Sequence, residues 1–270
     1  GSSCLYEAKP VGIFRHQHIV PTVGDLVDLE PEGEQYSLTA IHPRKNLFIR
    51  PPVANVDLAV IVFAFRNPRP NLLLLDKMLV ACETRGVKPL ICLTKRDLAR
   101  EKDLDILKIY QKTPYSVIMM TAGDQEALQE LQDCLKGKTA FLAGPSGVGK
   151  STLTNALCGR QAMDTGALSE KLGRGKHTTR HVELMDLPGG GVLLDTPGFS
   201  SLKLEDALTP EELRDSFPEF ARGLCRFKDC FHGAEPDCMV RRQLETGEIA
   251  EERYAHYQAM LEALRKRERY

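Results

Sequence analysis

The stretch Thr139–Gly159, TAFLAGPSGVGKSTLTNALCG, passes from an apolar segment through a glycine-bearing loop into a segment with helical character. Its centre, Gly144-Pro145-Ser146-Gly147-Val148-Gly149-Lys150-Ser151, has the spacing G-x-x-x-x-G-K-[ST] of a phosphate-binding loop, in the strand-to-helix context that the chemistry requires. Glycines let backbone N–H groups approach phosphate oxygens, and the following helix adds the positive end of its dipole. Lys150 is expected to reach the β and γ phosphates and Ser151 to ligate magnesium, with Thr152 part of the same nucleotide-binding stretch.

Downstream, LLDTPG at residues 193–198 is an apolar strand that delivers Asp195 to its carboxyl end, where the carboxylate can hold magnesium through water. The Gly198 N–H then faces the γ phosphate. Between the two motifs, KLGRGKHTTRH at residues 171–181 is basic, bears glycines and shows no apolar periodicity. A loop that folds over a nucleotide and presents Thr178 or Thr179 to magnesium has this composition. Phe199 follows DTPG, so no Gln stands there to orient the attacking water. His177 in the basic loop is the candidate for that role, because an imidazole can accept a hydrogen bond from water.

Upstream, LICLTKRDLA at residues 90–99 ends an apolar run in Thr94-Lys95-Arg96-Asp97. An Asp carboxylate can accept hydrogen bonds from both N1–H and the 2-amino group of guanine, which adenine cannot supply, while a lysine stem covers the ring face. Asp97, Lys95 and Thr94 are therefore the base-reading candidates. Thr121-Ala122, at the end of the next apolar run, is the candidate for backing the base. The elements run base-reading, base-backing, phosphate loop, mobile loop, DTPG. That order is a GTPase order cut and rejoined, which a fold tolerates when the parent termini lie close together.

Around these motifs, apolar runs such as LAVIVFAF, VKPLICLTK and YSVIMMTA alternate with helical segments such as NLLLLDKMLVACETRG. Apolar strands alternating with helices predict a parallel sheet covered on both faces. HVELMDLP and GVLLDTPG flank Gly189-Gly190-Gly191 and predict two strands joined by a tight turn. Before this region, VGIF, DLVDLE, YSLTAI and NLFIR read as short strands of a small all-β unit that ends at Pro51-Pro52. After Leu208 the strands stop, and TPEELRDSF opens with the capping residue Thr209 and Pro210 at the first helical position. A charged helix is expected from Glu251 to Arg267.

Of eight cysteines, Cys225, Cys230 and Cys238 lie close together and enclose His232. Three thiols and an imidazole can close a tetrahedral structural zinc site, with no position left for water. The net charge of -1 gives no global attraction to nucleic acid, so an RNA partner has to be met by local patches. With no long apolar run and no signal-peptide pattern, a cytoplasmic protein without a membrane partner is expected. Gly1-Ser2-Ser3 reads as a cloning remnant and is left out of fold reasoning.

Taken together, these residues resemble the circularly permuted ribosome small subunit-dependent GTPase A (RsgA/YjeQ) family over essentially the whole chain. The resemblance rests on GIFR, PTVGDLV, IRPP, ANVD, TKRD, GPSGVGKST, LGRGKHTTRHVEL, DTPGFSSL and the Cys-Cys-His-Cys knuckle. It implies a multidomain protein: an OB-fold-like RNA- and ribosome-binding domain at residues 4–52, a circularly permuted α/β P-loop GTPase domain at 53–207, and a zinc-binding helical domain at 208–270. It also implies Mg-dependent GTP hydrolysis late in small-subunit maturation, stimulated by that subunit, with GTP and GDP, the subunit and 16S rRNA as partners and a monomeric state. Within the family, Thr179 corresponds to the switch threonine and His177 to the histidine that replaces the missing Gln. Two features depart from it: Thr94 stands where the family's base-reading motif has Asn, and residues 4–52 are short for a five-stranded barrel. A rival function is an RNA-binding module in which nucleotide is only a conformational ligand. It is distinguished by whether small subunits speed GTP turnover, and a P-loop ATPase or kinase by whether ATP competes with GTP.

Overall fold

The computed structural model describes residues 6–12, 14, 19–33, 35–49, 52–159, 183–195, 208–220 and 225–267. The expected sites His177, Thr178, Thr179 and Gly198 lie outside them, and of Asp195 only the main chain is described.

The centre is a six-stranded sheet built from β6 (Leu58–Ala64), β7 (Lys88–Thr94), β8 (Ser116–Met119), β9 (Thr139–Ala143), β10 (Glu183–Asp186) and β11 (Val192–Asp195). Its order is β10-β11-β9-β6-β7-β8; β10 alone is antiparallel to its neighbour and the other pairs are parallel. β10 and β11 form the hairpin expected around Gly189-Gly190-Gly191. Counted from β9, the order reads 2-3-1-4-5-6, and the chain enters this sheet at the fourth strand of that count.

Period-two alternation explains why β6 is apolar throughout. Ala59, Ile61 and Phe63 enter one core, while Leu58, Val60, Val62 and Ala64 enter the other. The first core is closed by α1 (Leu72–Glu83) and α2 (Asp105–Tyr110), the second by α3 (Gln125–Leu135) and α4 (Lys150–Cys158). At roughly 1.5–3 kcal/mol per buried large apolar side chain, these two layers dominate the favourable side of folding.

At the N-terminal end, β1 (Ala8–Pro10), β2 (Val27–Glu32) and β3 (Gln35–Ile41) form a three-stranded sheet of order β1-β3-β2. The expected strand VGIF does not form among the described residues; the strand lies just before it, and the ladder extends only through the Val11 N–H to the Leu38 carbonyl. β4 (Leu47–Ile49) and β5 (Pro52–Ala54) pair with each other. Their hairpin straddles the expected boundary at Pro52, and Phe48 and Val53 are buried in the core of the central sheet. Phe48 meets the ring of Phe141 edge-on at 5.2 Å. Asn46 and Asn55 fasten the same junction: Asn46 bonds the main chain of Val56 in both directions, and Asn55 donates to the Gly24 carbonyl. Gly24 is required there, since a Cβ would lie 2.2 Å from the Ala54 oxygen.

The C-terminal region carries α5 (Pro210–Asp215), α6 (Met239–Glu245) and α7 (Glu251–Arg267). Thr209 caps α5 as expected, in a reciprocal box with Glu212. This region packs on the outer side of α1, whose Val80 and Ala81 join Phe217, Tyr257 and Leu261 in a third core. Helix α1 is therefore apolar on two faces because it is covered on two faces. Within the contact lies a buried ion cluster. Arg253 and Asp76 are 1% and 0% exposed at the side chain, with Nη1 2.8 Å from Oδ1, and Arg253 Nε donates to Glu219 at 2.7 Å. Asp76 also meets Tyr110 Oη at 2.7 Å and His256 Nδ1 at 2.6 Å. Burial opposes the Arg253 charge, but Asp76 and Glu219 overcome it and hold the guanidinium pKa above its ordinary value.

Candidate functional site

The loops that carry the motifs all leave carboxyl ends of parallel strands, where ligands sit in open α/β sheets. β9 ends in the phosphate loop, its neighbour β6 in Phe65–Pro70, β7 in Thr94–Asp97, and β8 in Met120–Asp124. The interior strands deliver these loops to one edge because each pairs in parallel with the next.

The phosphate loop turns back over the sheet so closely that a Cβ at Gly144 would lie 2.0 Å from the Val62 oxygen. Gly149, at φ 98, caps α4 with no side-chain acceptor, so the first-turn N–H groups of that helix have no side-chain cap to displace. Lys150 Nζ donates to the Gly144 and Pro145 carbonyls at 2.8 and 2.7 Å, which places the ammonium inside the curl of the loop. Burial lowers its pKa, the signature of a cation in need of an anionic partner.

The base-reading segment is tied directly to this loop. Thr94 is buried, and its hydroxyl lies 2.5 Å from the Val148 carbonyl oxygen and 3.2 Å from that of Phe63. Lys95 takes the left-handed conformation at φ 56 and donates from Nζ to the carbonyls of Asn67 and, at 2.7 Å, Gly147. Asp97 is exposed, with no hydrogen bond to its carboxylate among the described residues. Beside Asp97, Thr94, Lys95, Thr121, Ala122, Asp124, Gln125, Gly149, Thr152, Leu153 and Ala156 line one open cleft.

So Thr94, Lys95, Thr121, Ala122, Val148, Gly149 and Thr152 come together as the sequence suggests, whereas Asp97, two residues beyond Lys95, is exposed and does not line the cleft. Gly144, Pro145, Ser146, Gly147, Lys150 and Ser151 complete the loop. Residues that sequence reasoning missed include Asn67, which accepts from Lys95, and Pro68, 3.8 Å from a Cβ built on Gly147. Asp124 and Gln125 were missed too; Asp124 caps α3 by accepting from the Ala127 N–H at 3.1 Å. The signal for Asn67 and Pro68 was position: FRNPRP follows a fully apolar strand in a sheet whose strand ends carry every other motif.

The second site is the cysteine cluster. The donor atoms of Cys225, Cys230, His232 and Cys238 all lie within 4.8 Å of one another. Cys225 Sγ is 3.9 Å from Cys238 Sγ, and these two sulfurs are 3.6 and 3.5 Å from His232 Nδ1. A tetrahedral ion with zinc-like bonds has edges of about 3.8 Å between sulfurs and about 3.6 Å between sulfur and nitrogen, so the donors fit a metal of that size. Burial, then the neighbouring thiols, push the Cys230 thiol up to about 12, and burial lowers His232; a cation would offset the cost of gathering thiolates here. Tyr254 and Gln258 of α7 donate to the His232 carbonyl at 2.6 and 3.3 Å and Tyr257 to that of Phe231, docking the knuckle on the helix.

Comparison with known proteins agrees with this geometry. The sequence pattern of the RsgA GTPase family matches residues 41–205. The small ribosomal subunit biogenesis GTPase RsgA of Caldanaerobacter subterraneus subsp. tengcongensis is 43% identical over 270 residues, covering 98% of this chain and 90% of that protein. The protein of the same name from Alkaliphilus metalliredigens is 44% identical over 273 residues, covering 98% and 93%. Among solved structures, YjeQ from Thermotoga maritima superposes with a TM-score of 0.81 at 36% identity, covering 95% of this chain and 89% of that one. YloQ, described as a circularly permuted GTPase, gives 0.80 at 34% identity, covering 98% and 88%.

Proposed function

The chain belongs to the RsgA GTPase family, and from that premise we propose how its residues divide the work of a GTP-hydrolysing enzyme of small ribosomal subunit biogenesis. The observation that carries the reading is the convergence of Val148 and Gly149 of the phosphate loop, Thr94 and Lys95, and Thr121 and Ala122 on one cleft at the strand ends. Backbone N–H groups of Ser146–Ser151 and the Lys150 ammonium bind the β and γ phosphates. Magnesium accompanies GTP, held by Ser151 and Thr179 and through water by Asp195. Asp97 reads the guanine edge, Lys95 covers the ring, and Thr121 and Ala122 back it. His177 orients the attacking water when the basic loop is in place.

Cys225, Cys230, His232 and Cys238 hold one structural zinc ion, which fixes a segment with little core of its own. The N-terminal strands and the knuckle dock on the small subunit and its 16S rRNA late in maturation, and that contact stimulates hydrolysis. The protein works as a monomer in the cytoplasm; among the described residues no helix is long and apolar enough to cross a membrane. Nucleotide competition tests the site: GTP and GDP should displace a fluorescent guanine nucleotide while ATP should not. Displacement by ATP at similar concentration would remove the base-reading assignment.

A further inference from the structure

The turn between two of the metal-ligand candidates carries a feature that neither GTP chemistry nor metal binding uses. Cys225 and Cys230 enclose Arg226-Phe227-Lys228-Asp229, all exposed. Phe227 is 41% exposed. Only two Phe or Tyr residues among the described residues are exposed to this degree. Tyr6 packs edge-on against Tyr36 at 4.7 Å, whereas Phe227 is approached by a guanidinium, that of Arg226, 5.6 Å from its centroid.

The turn is held. The Cys230 N–H donates to the Phe227 carbonyl at 3.3 Å, and both flanking cysteines sit in the donor cluster. Arg226 pairs with Asp237 at 3.3 Å, and Arg242 reaches the same carboxylate at 3.6 Å. Two arginines thus share one acid. Glu235 is turned inward, accepting from the Phe231 N–H at 2.9 Å. Lys228 adds a positive charge and Asp229 removes one, so the face around the ring stays basic in a chain whose net charge is -1.

We propose that Phe227 is a stacking platform for an unpaired RNA base, with Arg226, Lys228 and Arg242 meeting the flanking phosphates. Exposed rings beside cations are the means by which single-stranded RNA is held, because every base offers a face to stack and every linkage a charge to neutralise. A protein partner would call for an apolar surround to complete a buried patch, and the neighbours of Phe227 in the turn are all charged and exposed. Preorganisation by the Cys225–Cys230 turn limits the ordering entropy that binding would cost. The partner in the cell rests on the small-subunit reading above; the stacking chemistry does not.

The test uses the full-length, metal-loaded chain and a fluorescein-labelled single-stranded RNA dodecamer of mixed sequence, alone and annealed to its complement, over a range of KCl concentrations. Phe227→Ala should weaken the single strand about 5- to 100-fold while leaving the salt slope unchanged, since stacking releases no counterions. Phe227→Trp should restore affinity, and Lys228→Ala should lower the slope by about 0.7. Duplex binding should be little affected by Phe227→Ala. No binding by the wild-type chain, equal affinity of Phe227→Ala, or failure of Trp to restore it would overturn the platform. Loss of affinity for purified small subunits with RNA binding intact would also overturn it, in favour of a protein contact. If wild-type hydrolysis is stimulated by subunits and Phe227→Ala binds RNA normally, the platform falls and the small-subunit reading stands. If subunits do not stimulate the wild type, that reading falls whatever the dodecamer shows.

Discussion

The hydroxyl of Thr94 lies 2.5 Å from the main-chain carbonyl oxygen of Val148, so the end of β7 is hydrogen-bonded to the phosphate loop across the floor of the nucleotide cleft. Thr94, which has no side-chain amide, makes this tie by donating its hydroxyl hydrogen to the carbonyl. Thr94→Val preserves shape but leaves a buried carbonyl without its partner, at a cost of about 1–3 kcal/mol. GTP affinity should fall about 5- to 100-fold in fluorescent-nucleotide titrations, while Thr94→Ser should stay close to wild type. Equal affinities for all three would show that the loop does not depend on the tie.

In the proposed function Asp97 reads the guanine edge. Asp97→Asn exchanges one acceptor for a donor, so GTP should bind about tenfold or more weakly and xanthosine triphosphate should gain what GTP loses. Competition titrations with both nucleotides check the exchange. Unchanged GTP affinity would remove Asp97 from the base site.

The joint between α1 and α7 should be sensitive to removal of the Arg253 guanidinium. Arg253→Met leaves Glu219 buried without its cation and Asp76 with only Tyr110 and His256, and should cost about 3–5 kcal/mol in urea unfolding. Combining it with Asp76→Asn and Glu219→Gln should recover much of that loss, because no uncompensated charge then remains. A triple variant as unstable as Arg253→Met would mean that shape, not charge, holds the joint.

Thiol chemistry separates the cysteine classes. Burial pushes the thiols of Cys82 and Cys92 up to about 12, so at neutral pH they should be silent toward an aromatic disulfide reagent until the protein unfolds. Metal analysis should find one zinc per chain. A strong chelator should release it, render Cys225, Cys230 and Cys238 reactive, and lower the melting temperature. The same thiol count with and without chelator would leave the cluster without a metal.

Much of this architecture was legible because the relevant signals are local. Gly144–Ser151 between an apolar strand and a helix can do little else, and Thr209 with Pro210 marks a helix start by short-range chemistry alone. Contacts between distant segments were not legible. Arg253 sits in EERYAHYQAM, a run that reads as a solvated helix, and only the fold brings Asp76 and Glu219 to it. Phe48 looks like a member of the N-terminal β unit, yet together with Val53 it closes one face of the central sheet. The Thr94 tie spans 54 residues of sequence, and neither Thr94 nor Val148 shows it alone. The strand expected at VGIF failed for a local reason: Gly12 lies in a turn immediately after the ladder with β3 ends.

The most direct measurement is steady-state GTP hydrolysis by the full-length chain with and without purified small ribosomal subunits, with large subunits as control. A subunit-dependent GTPase should turn over at least about tenfold faster with small subunits, a change of about 1.4 kcal/mol in barrier height, and should not respond to large ones. His177→Ala should bind GTP normally and lose most of the stimulation. The same rate with and without small subunits, at concentrations where the protein is bound to them, would contradict the account.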